Sequence, residues 1–376
     1  MWAVTLALAA CGEVSNKSPD AGSHDGPASI DAALVDASGS ASIVRAHHVF
    51  DMQRADQVLP VPFTTTSGRA VIIAAGSGQC ASGFAIGMSI KLDGTSIGSS
   101  RSATNELNSS KAFVRTAIPV DLIAGTHNLT VEPLAGTTMG ASDFVDVMVI
   151  ELGTNATATS IFQDVAPPYS ATFTAGGGHG VLLAGASGYV AGTAATTIGV
   201  NIQLDTQPIG QLKTYSNEVY SHKSFGAVHM VLTPGAGSRM LDLVGFQGTA
   251  VDYNDRASAL WLELGSDVTP AQVMDHGPGP LPLSNTFVSS GGPIIVFVEG
   301  SSYASTSGIL ETSVKLDSMV IGSAKVVTAE ASSHKTLVPT VLLAQPAAGM
   351  HTLALTAATG TNTDFNDSFN VSVIEL

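Results

Sequence analysis

Over most of its length the chain alternates apolar and polar residues with a period of two. NIQLD (Asn201 to Asp205), SVKLD (Ser313 to Asp317), HTLALTA (His351 to Ala357) and the closing FNVSVIEL (Phe369 to Leu376) all follow this pattern. Such alternation puts successive side chains on opposite faces, as in a half-buried strand. Turn residues interrupt it every eight to fifteen positions, and no segment sustains a capped 3.6-residue period. The pattern predicts an all-β chain of short strands.

The pattern also repeats. LEL at 262–264 and IEL at 374–376 echo IEL at 150–152, a stagger of 112 residues each time. At the same stagger LDGTSIG, LDTQPIG and LDSMVIG fall in register from Leu92, Leu204 and Leu316. So do NELNSSK, NEVYSHK and AEASSHK, ending at Lys111, Lys223 and Lys335. Only the neighbourhood of Phe63, Phe173 and Phe287 slips, by two residues, as a loop insertion would cause. Three tandem β-sandwich repeats are expected, at residues 43–152, 153–264 and 265–376, each of roughly eight to ten strands.

The closing strand has two apolar faces. Phe369, Val371 and Val373 share one face, yet Ile374 and Leu376 are apolar on the other, as are Leu262 and Leu264, and Ile150 and Leu152. An isolated sandwich would turn that second face to water. A neighbour should cover it, and the short GTNATATS linker at 153–160 favours the next repeat.

Within each unit a Phe is followed by a Gly-containing apolar strand and then by the Leu-Asp/Ile-Gly hairpin. An Ala-Gly-x-[His/Arg]-x-Leu strand and a last strand near Asp-x-Phe complete the order. This resembles the jelly roll of the C1q/tumour-necrosis-factor-like superfamily, with FVSSGGPIIVFVEGS (287–301) where that family places its Phe and Gly-x-Tyr-x-Phe strand. The resemblance implies jelly-roll domains, which in that family assemble as trimers. Here it implies a pseudo-trimer within one chain, its closing strands near the axis; a row of beads is the alternative.

Composition narrows the function. The chain has 44% hydrophobic but only 12% charged and 6% aromatic residues, with a net charge of −15. Fifteen scattered Lys and Arg make no basic stripe, so nucleic acid is excluded as a partner. Residues 1–11, MWAVTLALAAC, end in Leu-Ala-Ala-Cys, which resembles the lipobox of bacterial lipoproteins. That resemblance implies a cleaved signal peptide, a lipid on Cys11, and anchorage to the outer membrane of a Gram-negative cell envelope. Residues 12–42, rich in Asp, Ala, Gly, Ser and Pro, bury too little to offset their ordering entropy and read as a flexible acidic tether.

Candidate chemistry is sparse. Gly94-Thr95-Ser96-Ile97-Gly98 matches a nucleophile elbow, but the serine sits in a hairpin and its counterparts are Pro208 and Val320. No catalytic set is expected, and no cofactor or metal either, because the ten histidines show no local ligand spacing. His222 and Lys223 recur as His334 and Lys335, each pair following a Glu, whereas the first unit has Ser110 and Lys111. They are candidate ligand contacts or, more blandly, Glu–Lys pairs bracing a loop. Tyr189 and Tyr303 lie in stretches that vary between repeats and suit sugar or peptide stacking. Asp143, Asp255 and Asp367, before each closing strand, read as turn-closing residues. The expected function is a non-enzymatic surface lipoprotein for adhesion or for recognition of a glycan or protein. A self-assembling coat or appendage subunit is the alternative.

Overall fold

The computed structural model describes residues 41–376 apart from Val58, Ser67, Ser82 and Gly83; Cys11 and tether residues 12–40 lie outside the described part. Strand pairing falls into three blocks that never share a sheet. The middle block has eight principal strands. They are Thr157–Val165, Ser170–Ala175, His179–Val190, Thr196–Leu204, Gln207–Ser216, Lys223–Leu232, Gly237–Gly245 and Ala257–Leu264. One sheet runs in the order first, eighth, third, sixth, and the other second, seventh, fourth, fifth. That is the double Greek-key winding of a jelly roll. The same order holds for the blocks Ile43–Leu152 and Thr269–Glu375. Among the described residues no helix is long and apolar enough to cross a membrane.

The hairpins between fourth and fifth strands explain their repeated aspartates. Asp93 has φ +50° and Gly94 φ +79°, the left-handed pair that a two-residue hairpin demands. Asp205 and Asp317 take the same conformation, with φ +51° and +56°. Their carboxylates do not close the hairpin itself. They reach across to the seventh strand and accept from the backbone N–H of Asn128, Met240 and Thr352.

The closing strands are two-faced because they serve two cores. Val145, Val147 and Val149 enter the core of the first sandwich, Ala257, Ala259 and Trp261 that of the second, and Phe369, Val371 and Val373 that of the third. The opposite faces meet in one shared cluster. Met148, Ile150, Leu152, Leu260, Leu262, Leu264 and Ile374 pack there with Val71, Val181, Phe297 and Val341. Three jelly rolls thus surround a common apolar axis, a pseudo-trimer rather than a row of beads. Burying such side chains is worth about 1.5–3 kcal/mol each.

The repeats run the same way along that axis. The loops between third and fourth, fifth and sixth, and seventh and eighth strands lie at one end, called upper here. Asn105 Nδ2 donates to the Tyr220 carbonyl, and Asn217 Nδ2 to that of Ser332, tying repeat to repeat at this end. At the lower end Arg69 reaches the Gly153 carbonyl, and Ser42 Oγ donates to Asp267 Oδ1 at 2.7 Å. Ser42, assigned to the tether from sequence, is therefore buried and fixed, because it finds a carboxylate on the linker between the second and third repeats. Glu151, Glu263 and Glu375 anchor lower turns: Glu263 accepts from Gly176 and Gly178 N–H, and Glu375 from Ser290 and Gly292 N–H. Glu151 accepts from Thr66 N–H.

Candidate ligand-binding clusters at the upper end

Each eighth strand is launched by a turn closed by one aspartate. In the second repeat, Asp252-Tyr253-Asn254-Asp255, the Asp255 carboxylate accepts from Asp252 N–H at 2.9 Å and from Ser187 Oγ at 3.1 Å. In the third repeat Asp367 accepts likewise from Asp364 N–H at 2.9 Å and Ser301 Oγ at 2.8 Å. In the first, Asp143 accepts from Gly140 N–H at 3.0 Å and Ser110 Oγ at 3.1 Å. All three are buried. Burial raises Asp143 above the ordinary carboxylate range, opposed by the Gly140, Ser110 and Ser77 hydrogen bonds. The turn-closing expectation for these aspartates holds in every repeat.

Two repeats add more. His222 Nδ1 lies 2.9 Å from Asp255 Oδ1, and His334 Nδ1 2.9 Å from Asp367 Oδ1. A carboxylate can only accept there, so Nδ1 carries a proton and Nε2 is the ring nitrogen left to meet another partner. Each Nε2 faces a second carboxylate, Asp252 Oδ2 at 3.8 Å and Asp364 Oδ2 at 3.8 Å. That distance is beyond hydrogen-bond length. Tyr189 tilts against His222 with centroids 4.5 Å apart, and Tyr303 against His334 at 4.6 Å. Burial raises both phenols, helped by the charges of Asp252 and Asp255 for Tyr189 and of Asp364 and Asp367 for Tyr303. Between the aspartates of each turn stands an aromatic ring turned to solvent, Tyr253 at 78% exposure and Phe365 at 81%.

The first repeat has lost this set. Strand register places Gln79 where the others have Tyr189 and Tyr303. Ser110 replaces the histidine, Gly140 the outer aspartate, and Ala141 the exposed aromatic. Only the turn-closing Asp143 remains.

Of the residues singled out in the sequence, the structure brings His222 together with Tyr189, and His334 with Tyr303. It places Lys223 and Lys335 elsewhere. With Lys111 they line a small cavity between all three repeats, and each is 3% exposed. Lys111 pairs with Glu106 at 2.7 Å, Lys223 with Glu218 at 3.1 Å and Lys335 with Glu330 at 2.6 Å. Each also reaches the next repeat around the axis: Lys111 to Ser221 Oγ, Lys223 to the His334 carbonyl, Lys335 to Ser109 Oγ. These lysines hold the repeats together and do not face solvent as ligand contacts would. Burial, then repulsion from Lys111, pushes Lys223 down to about 8 against the pull of Glu218. Burial alone would raise Glu218, but Lys223, Lys111 and Lys335 outweigh it and hold that carboxyl well below its ordinary range.

Sequence reading missed Asp252 and Asp364 as partners of the histidines. The donors stand thirty positions apart on different loops, so no local spacing reveals them. His48, Asp51 and Asp146 make a third His–Asp–Asp group, of a different kind. His48 Nε2 itself contacts Asp146 at 3.1 Å, and the Asp146 carboxylate also accepts from Thr340 Oγ1 and Val341 N–H. Burial works to lower His48, but Asp146 raises it overall. Its buried carboxylate, Asp146, is engaged in joining the first repeat to the third.

No family model matches the chain, and no curated protein matches it. Among solved structures, a peptide-N(4)-(N-acetyl-β-D-glucosaminyl) asparagine amidase is similar at 10% identity and TM-score 0.32, over 59% of this chain and 96% of that one. The structure described as the triple jelly roll fold and turret assembly of an archaeal virus is similar at 8% identity and TM-score 0.19, over 88% of this chain and 84% of that one. Likenesses of this depth speak only to the β-sandwich architecture already described.

Proposed function

We propose that this chain is a non-enzymatic recognition protein of the cell surface that binds glycans through the His222 and His334 clusters. The observation that carries the reading is the joint presence, at one end, of an exposed ring, a second tyrosine and paired His and Asp side chains. They occur together in the second and third repeats and are absent together from the first. An aromatic plate beside fixed polar groups suits sugar rings, which offer apolar faces and hydroxyl rims. Nε2, which a hydrolase would direct at a nucleophile, faces a carboxylate instead.

Polarity of the molecule supports the same reading. Ala41 hydrogen-bonds with Asn155 at the lower end, so the described chain enters the first sandwich at the end opposite the clusters. The C1q/TNF-like resemblance belongs to this proposal as well, since a trimer-like head on a stalk is how that reading places the sites. Self-assembly is the weaker alternative, because the apolar faces of the closing strands are already covered by one another.

A glycan array with wild type and with the Tyr253→Ala/Phe365→Ala variant tests the proposal. Binding by wild type and at least tenfold weaker binding by the variant is expected; silence of wild type on the array and in a pull-down from cell envelope overturns it. Mass spectrometry of the membrane fraction should find diacylglycerol on Cys11, and an unmodified N-terminus removes the anchor.

A further inference from the structure

We infer that each of the two clusters is a binding site for a divalent transition-metal ion, held between His222 Nε2 and the Asp252 carboxylate, and between His334 Nε2 and the Asp364 carboxylate. The role given to the ion rests on the recognition reading above, though its binding can be measured without any glycan.

Three observations converge. Each imidazole is almost fully buried, 6% exposed for His222 and 5% for His334, yet its Nε2 stops 3.8 Å from the only carboxylate it faces. A ring nitrogen and a carboxylate oxygen at that separation leave room for one ion bonded to both, at about 2.0–2.2 Å from each. The other ring nitrogen donates to a fully buried carboxylate, Asp255 or Asp367. This is the support that metal-bound histidines carry, fixing the tautomer and increasing the basicity of the ligating nitrogen. Finally, His and outer Asp vanish together in the first repeat, as Ser110 and Gly140, while the supporting Asp143 persists. The outer aspartates also accept from Asn254 and Asn366 N–H through Oδ1, but that duty does not involve the histidine; a shared ion explains why the two vanish together.

The donor set indicates which ion. Imidazole with carboxylate suits zinc, manganese, cobalt, nickel or copper, and calcium or magnesium would prefer oxygen ligands alone. Two protein donors leave other coordination positions open to water or to ligand hydroxyls beside Tyr253 and Phe365.

Titration of the full chain with zinc chloride, followed by calorimetry, tests this. Two ions per chain are expected for wild type, one for His222→Ala and none for His222→Ala/His334→Ala, with no calcium uptake. Asp252→Asn/Asp364→Asn keeps the size of each residue and should also abolish uptake while melting like wild type. Cobalt substitution should give visible absorption that disappears in the same variants. No uptake by wild type, or undiminished uptake by either folded double variant, overturns the inference. A glycan array run with and without chelator separates the two readings. Metal uptake without glycan binding sinks recognition alone; glycan binding that ignores the chelator, in a protein that takes up no zinc, sinks the metal site alone.

Discussion

The axis and the upper rim treat the three repeats differently. On the axis all three contribute the same lysine, Lys111, Lys223 and Lys335, each paired to its own glutamate and reaching the next repeat. On the rim two repeats carry His, Asp and aromatic residues, and the first carries Ser110, Gly140 and Ala141 in their place. A residue that holds the assembly together is needed in each copy, since a gap in the ring strands its neighbours' charges. A residue that meets a ligand can be dropped from one copy at no cost to the fold. The difference therefore sorts these side chains by role.

Breaking the axis should have the largest effect. Glu218 is within 4 Å of both Lys223 and Lys111, so Glu218→Gln leaves the buried Lys223 ammonium without its carboxylate, while Lys111 keeps Glu106. A loss of about 3–5 kcal/mol is expected from urea denaturation. Because its carboxyl is held below the ordinary range, Glu218 contributes stability above its unfolded pKa, and this is lost as pH falls through the folded value.

A second buried acid gives the opposite slope. Glu299 is buried, contacts Ala227 N–H of the neighbouring repeat, and is pushed up to about 8 by burial, against the pull of that hydrogen bond and of Arg115. Its neutral form stabilises the fold fully below its ordinary value of 4.5. That contribution disappears as pH rises towards 8. Glu299→Gln should flatten the decline between pH 5 and 8, measured by denaturation at each pH; an unchanged slope would show that Glu299 does not titrate there.

Smaller effects sharpen the rim side of the comparison. Asp143→Ala, in the repeat with no cluster, should cost about 1–3 kcal/mol by orphaning Gly140 N–H and two serine hydroxyls. Asp255→Ala should cost a similar amount, since the turn is the same. The graft Ser110→His/Gly140→Asp/Ala141→Tyr tests the rim by gain instead of loss; because it enlarges the buried Ser110, a cost of about 1–3 kcal/mol is expected. A Cβ at Gly140 meets nothing within 4 Å. The graft should raise zinc stoichiometry from two to three, and failure to do so would show that the missing Tyr at Gln79 also matters.

Much of the architecture was legible because strand periodicity and the 112-residue stagger both lie in the local order of residues. The two apolar faces of FNVSVIEL already required a cover, and the axial cluster supplies it. The candidate site was half legible. Tyr189 and His222 were both visible as candidates, yet nothing in the chain order says that a third-strand end and a fifth-to-sixth loop converge. The same ignorance makes Lys223 look like a neighbour of His222 in function, when His222 ends the loop and Lys223, the first residue of the sixth strand, lines the cavity between the repeats. The usable signal was the shared gap in the first repeat, where His, Asp and aromatic residue disappear at once.

Joining three jelly rolls in one chain has a consequence for strength of attachment. Two copies of one cluster sit in one chain at the same end, so on the proposed recognition reading a polymeric target caught by the first would meet the second at high effective concentration. Its overall avidity can then exceed that of either site by a factor of about 100 or more, with no new contact. Disabling one cluster should consequently weaken hold on a long chain far more than on a short oligomer.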